Sequence, residues 1–277
     1  MVLVALLFPL QDLIDRSRGG SRLEESALMA WSGATMRKLA PGFEGPVADL
    51  YWLRTVQYYG GQRAFSLEKR FELVAPLIDV TVTLDPRMIM PYRLGAIFLS
   101  ETHPNGAGRP DAGVKLLERG IRANPKEWRL RQDLAYLKAE FQRDYAGAAS
   151  VLMAGALIEG APAWFRSLAG AWLQKGGDRR TSRIVWQGIL TNSPEEFLKQ
   201  AARRRLRNLD SLDAIDGVKA ALLAFERDRG RRPESLAELV QAGFRGRTAS
   251  SDGFPFEYDP ATLAVTIKRG SLDWQPR

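Results

Sequence analysis

A chain of 277 residues has room for one large domain or two small ones, and 45% hydrophobic with 26% charged residues is ordinary for a folded protein. The absence of cysteine excludes a disulfide framework, a thiolate nucleophile and a cysteine-ligated zinc site. A net charge of +8 would suit an acidic partner, anionic lipid or nucleic acid, although clusters such as Arg203-Arg204-Arg205 read first as solvated helix faces.

Val2–Leu10 is an apolar run broken by Pro9, too short to span a bilayer, which takes ~20 residues. It is either the tail of a membrane anchor or a helix docked on the rest of the chain. A polar linker follows, so 1–25 forms one segment. Residues 26–46 read as a lead-in, a short strand or turn punctuated by Gly33, Pro41 and Gly42. The first long helix opens after Pro46 and runs to about Tyr59, with Trp52, Val56 and Tyr59 on one face, Tyr51 and Leu53 flanking, and Gly60-Gly61 as its stop. A partner helix over Leu67–Thr83 carries Phe71, Val74, Ile78 and Val82 on one stripe, bent at Pro76.

Punctuation then becomes regular. Asp85-Pro86, Asn124-Pro125 and Ser193-Pro194 each read as an N-cap followed by proline at the first helical position. Between them lie three helix pairs: Met88–Ser100 with Asp111–Ala123, Lys126–Gln142 with Asp144–Ile158, and Ala163–Lys175 with Arg179–Thr191. Tyr136, Ala148 and Leu152 recur as Gly170, Ser182 and Trp186, each 34 residues on, a period of stacked helix–turn–helix units. Helices over Glu195–Leu209 and Leu212–Arg229 follow. Ser235 and Glu238 then form a capping box, and Phe254–Tyr258 with Leu263–Ile267 read as a β-hairpin around Asp259-Pro260. The expected fold is mainly α: a helical repeat domain over 47–209 and, over 210–277, a small C-terminal α+β cap.

At these residues the chain resembles a tetratricopeptide-repeat protein, best over Met88–Pro194. The stretch Ala48-Asp49-Leu50-Tyr51-Trp52-Leu53-Arg54 with Gln57-Tyr58-Tyr59-Gly60, and Leu84-Asp85-Pro86 with Pro91-Tyr92-Arg93, is similar to poorly characterised bacterial repeat proteins. Those proteins often carry an N-terminal membrane anchor and a C-terminal stretch like Gly230-Arg231-Arg232-Pro233-Glu234-Ser235-Leu236. The end, Asp252–Tyr258, is faintly similar to secretion-system pseudopilins. The resemblance implies a membrane-associated, periplasm-facing protein; the alternative is a cytoplasmic one.

Chemistry finds little footing. His103 is the one histidine and lies in a Pro/Gly loop without a partner for acid–base work. No P-loop, dinucleotide turn or zinc-protease motif is present, so no catalytic residue, cofactor or metal site is assigned. Asp210, Asp213 and Asp216 read as first-turn carboxylates favoured by the helix dipole. If the groove works as in other tetratricopeptide proteins, Tyr92, Asp133 and Ser167 are its exposed candidates, with Trp164 and Gln174 on neighbouring turns. The expected function is a non-enzymatic scaffold or accessory subunit holding a protein partner or larger multisubunit assembly in the bacterial envelope, with membrane association through Val2–Leu10. A nucleic-acid-associated repeat using Arg203, Arg204, Arg205 and Arg207 is the alternative, disfavoured by the lack of interleaved aromatics.

Overall fold

The computed structural model describes residues 31–268, so Val2–Leu10 and the linker after it lie outside the described residues. Those described are mainly helical, with eleven helices and one small antiparallel sheet. The chain divides into two compact units, Met1–Arg143 and Asp144–Arg277.

The first unit contains α1 (Gly33–Leu39), α2 (Glu44–Ala64), α3 (Val74–Leu84), α4 (Ile89–Ser100), α5 (Pro110–Ala123) and α6 (Trp128–Phe141), with sequential neighbours packed together from α2 onward. The lead-in is thus a helix rather than a strand. Ser32 caps it by accepting from the Thr35 amide at 3.2 Å, and Gly33 lets it seat on α3, since a Cβ there would stand 2.6 Å from Thr83 Cβ.

Helix α2 runs straight through Gly60-Gly61, the expected stop. Glycine costs a helix about 1 kcal/mol, and the anchoring of Tyr59 outweighs it: the ring is buried and stacks on Phe98 with centroids 3.8 Å apart. Its buried face is Ala48, Tyr51, Thr55 and Tyr59, of which Ala48 and Tyr51 pack with Leu73, Leu77, Val80 and Leu84. Val56, grouped by spacing with Tyr59, is exposed. Helix α3 begins at Val74, which puts Pro76 in its first turn, where no carbonyl four residues back has to be accommodated and no bend is needed.

The three X-Pro marks turn out to end helices instead of starting them. Asp85, Asn124 and Ser193 are the C-caps of their helices, their amides donating to Thr81, Gly120 and Ile189. A proline clashes with an α-conformation in the residue before it, and all three sit outside the helical region. The next helices start four residues later at Ile89 and Trp128, and three residues later at Glu196.

The second unit contains α7 (Tyr145–Gly155), α8 (Trp164–Lys175), α9 (Arg179–Asn192), α10 (Glu196–Arg229), α11 (Leu236–Gln241), β1 (Phe256–Asp259) and β2 (Ala264–Ile267). Asp144 and Asp178 cap α7 and α9 by accepting from the Gly147 and Thr181 amides at 2.8 and 3.0 Å. Two helices were expected over 195–229; there is one, 34 residues long, ended by Gly230 at φ 65. Its N-terminal half buries Leu198, Ala202 and Leu209 against Trp186 and Ile189 of α9. Its C-terminal half buries Ile215, Val218, Leu222 and Phe225 against Leu239, Phe256, Val265 and Ile267. The expected hairpin is present, with Phe256 opposite Ile267 and Asp259 opposite Ala264. The Ser235 capping box is present as well, Glu238 N donating to Ser235 Oγ at 3.3 Å.

Candidate partner-binding surface

The repeat positions Gly170, Ser182 and Trp186 form a crossing point between helices, whereas their counterpart Tyr136 is exposed. In the α8–α9 hairpin, Gly170 faces Trp186 so closely that a Cβ would lie 2.9 Å from the indole, and Ser182 Oγ donates to the Gly170 carbonyl at 2.7 Å. The α4–α5 hairpin does the same with other residues, Gly120 against the Tyr92 ring and Gly113 against the Ala96 carbonyl. Small residues are needed wherever two helix backbones approach this closely.

This packing takes up several of the predicted groove residues. Tyr92 is completely buried, not exposed, because its ring fills the space that Gly120 leaves. Asp133 receives Arg93 from the neighbouring helix, Nε at 2.5 Å and a second nitrogen at 3.3 Å, so a forked ion pair ties α4 to α6 and raises the arginine's affinity for its proton. Ser167 places a buried hydroxyl without a partner among the described residues. Gln174 donates to Asn208 Oδ1 at 2.6 Å, while its own oxygen is buried and unpartnered among the described residues. Trp164 is exposed, edge-on to Phe165. A cavity of about 260 Å³ opens between the α7–α8 connection and the α9–α10 junction, with Ala156, Arg166, Ile189, Asn192 and Leu198 on its wall.

The basic run divides too. Arg203 reaches Glu196 at 2.8 Å, and Arg205 is half-buried, which, with Arg204 beside it, disfavours its charge. Arg207 lends its backbone carbonyl to the Ser251 hydroxyl at 2.9 Å. Of the four, Arg203 and Arg204 are exposed and Arg205 and Arg207 are partly buried. Asp210, Asp213 and Asp216 stand in the middle of α10, away from any helix start, and take Arg179 and Arg183 from α9: Arg179 to Asp213 and Asp216, Arg183 to Asp210 and Asp213. They are a helix-to-helix ladder.

Sequence reasoning passed over the outer face of α2. Leu50, Leu53 and Val56 are 45, 53 and 38% exposed, and Phe43, Phe65 and Leu67 at the two ends are 67, 88 and 102% exposed. Asp49 and Arg63 are the charges on this face. A helix that is apolar on both sides belongs between two layers, and here only one is present among the described residues. The signal was available as spacing: Asp49, Leu53, Val56, Gly60 and Arg63 alternate by four and three residues, the rhythm of a helix–helix seam. No helix among the described residues is long and apolar enough to cross a membrane. Comparison with family models, with curated proteins and with solved structures returned no match.

Proposed function

We propose that the chain is a non-enzymatic scaffold or accessory subunit, a tetratricopeptide-like stack of helical hairpins that holds a protein partner in a bacterial envelope complex. The observation that carries this reading is the outer face of α2, about 31 Å of helix whose exposed side is dominated by Leu50, Leu53 and Val56. Exposed apolar patches of this kind mark protein-binding surfaces, and most of their binding energy sits in a few anchors. The close helix crossings at Gly113 and Gly120, in the same unit as α2, support the reading, since they pack its neighbouring hairpin tightly. A periplasm-facing, membrane-associated location belongs to the same proposal; it rests on the sequence resemblance and on Val2–Leu10.

The test is a photoreactive residue at Leu53 in the full chain, expressed in its own host and irradiated in native membranes. One protein, cross-linked in fixed stoichiometry and lost with a second substitution Val56→Arg, is the expected result. No adduct at Leu53, or a diffuse set unchanged by Val56→Arg, overturns the reading. Release of the chain from membranes by high salt alone would remove an inserted Val2–Leu10.

A further inference from the structure

The exposed seam on α2 is self-complementary. Asp49 and Arg63 lie seven residues to either side of Val56 on the same face, and they are its opposite charges. Leu53 and Gly60 flank Val56 by three and four residues: one is a protruding side chain, the other an open site with nothing within 4 Å of a built Cβ. Phe43 precedes the helix and Phe65 and Leu67 follow it, so the exposed apolar ends are matched as well. A two-fold axis perpendicular to the helix at Val56 turns the first two relations into contacts. Asp49 of one copy faces Arg63 of the other, and Leu53 lies beside the gap at Gly60.

We propose that α2 pairs antiparallel with α2 of a second copy of this chain, centred on Val56. The pairing rests on the reading that this face docks protein, and names the partner. Such an interface is isologous: one patch serves both copies and every contact occurs twice. Arg63 is prepared for it. Among the described residues its Nη1 bonds to Tyr59 Oη and to the Glu101 carboxylate at 3.1 Å each, which fixes a guanidinium that remains about half exposed. Asp49 is exposed on the same face. The helix face alone covers roughly 300 Å² per copy, below the ~800 Å² of a standard interface, so association is of the weak, concentration-dependent kind.

Charge reversal tests this in a way that folding defects cannot imitate. Asp49→Arg leaves only cations on the seam and Arg63→Asp only anions. The full-length wild type should show a weight-average mass in sedimentation velocity that climbs towards twice the monomer with concentration. Each reversed variant alone should associate at least about tenfold more weakly. An equimolar mixture of the two restores both ion pairs across an antiparallel contact and should associate about as well as the wild type. A wild type that stays monomeric throughout, or a mixture no better than its components, overturns the proposal. A monomeric wild type whose Leu53 probe still captures a membrane partner ends the self-pairing and leaves the scaffold reading standing. A self-associating chain with no Leu53 adduct to another protein does the reverse.

Discussion

Gly113 of α5 lies so close to Ala96 of α4 that a Cβ on it would stand 2.8 Å from the Ala96 carbonyl oxygen. That oxygen belongs to helix backbone and cannot step aside. Gly113→Ala therefore forces the two helices apart, costing about 1–3 kcal/mol against the ~1 kcal/mol that alanine returns in helix propensity. Gly61→Ala, where a Cβ meets nothing within 4 Å, takes the gain alone. Chemical denaturation should show Gly113→Ala below the wild type and Gly61→Ala above it by roughly 0.5–1 kcal/mol.

The Arg93–Asp133 pair gives a second test, because Asp133 is only 12% exposed at its side chain and Arg93 28%. Removing one partner strands a half-desolvated charge. Asp133→Ala should cost about 1–3 kcal/mol, while the double change Arg93→Met with Asp133→Leu should cost less than either single one. A double-mutant cycle measures the coupling. If Asp133 were instead a groove residue free for a partner, Asp133→Ala would leave unfolding untouched.

Tyr59 carries the pH prediction. Burial first, then the hydrogen bond and charge of Glu101, push its phenol from 10.0 up to about 12, with Arg63 opposing. A group that holds its proton more tightly when folded adds stability fully below its unfolded value. That stability is lost as pH rises through the folded one, so the window runs from about pH 10 to about 12. Phenolate absorbance should show a late-titrating group, since burial raises Tyr92 and Tyr258 as well, and Tyr59→Phe should remove one tyrosine from it. The variant's stability should also fall less steeply across the window.

The ladder between α9 and α10 predicts a small, screened effect. Asp213 serves both Arg179 and Arg183, but its side chain is 51% exposed, and exposed pairs contribute about 0–1 kcal/mol. Asp213→Ala should lower stability by less than about 1 kcal/mol at low ionic strength, and high salt should shrink the difference between variant and wild type. A larger, salt-insensitive loss would mean that the carboxylate does something other than pair.

Much of the helical outline was legible because its determinants are local. Asp144, Asp178 and Ser235 bond to amides three residues on, so a short window of sequence is enough to place those starts. The X-Pro marks were found for the same reason. Their sense was reversed, because a proline's constraint on the preceding residue acts as strongly as its fit to a helix start. The groove candidates were less legible. Counting along a repeat placed Tyr92 and Asp133 on a free surface, whereas Gly120 and Arg93, 28 and 40 residues away, decide their burial and pairing.

What the sequence by itself determined is the order and approximate limits of the helices from 89 to 192, the Ser235 cap and the terminal hairpin, all products of short-range sterics and hydrogen bonding. Only the tertiary structure decided which side of α2 is core. Apolar residues surround that helix, so periodicity does not choose between Tyr51 and Thr55 inward and Leu53 and Val56 outward; packing on α3 does. Tertiary structure also made α10 continuous through Asp210, since the arginines that neutralise its carboxylates come from α9.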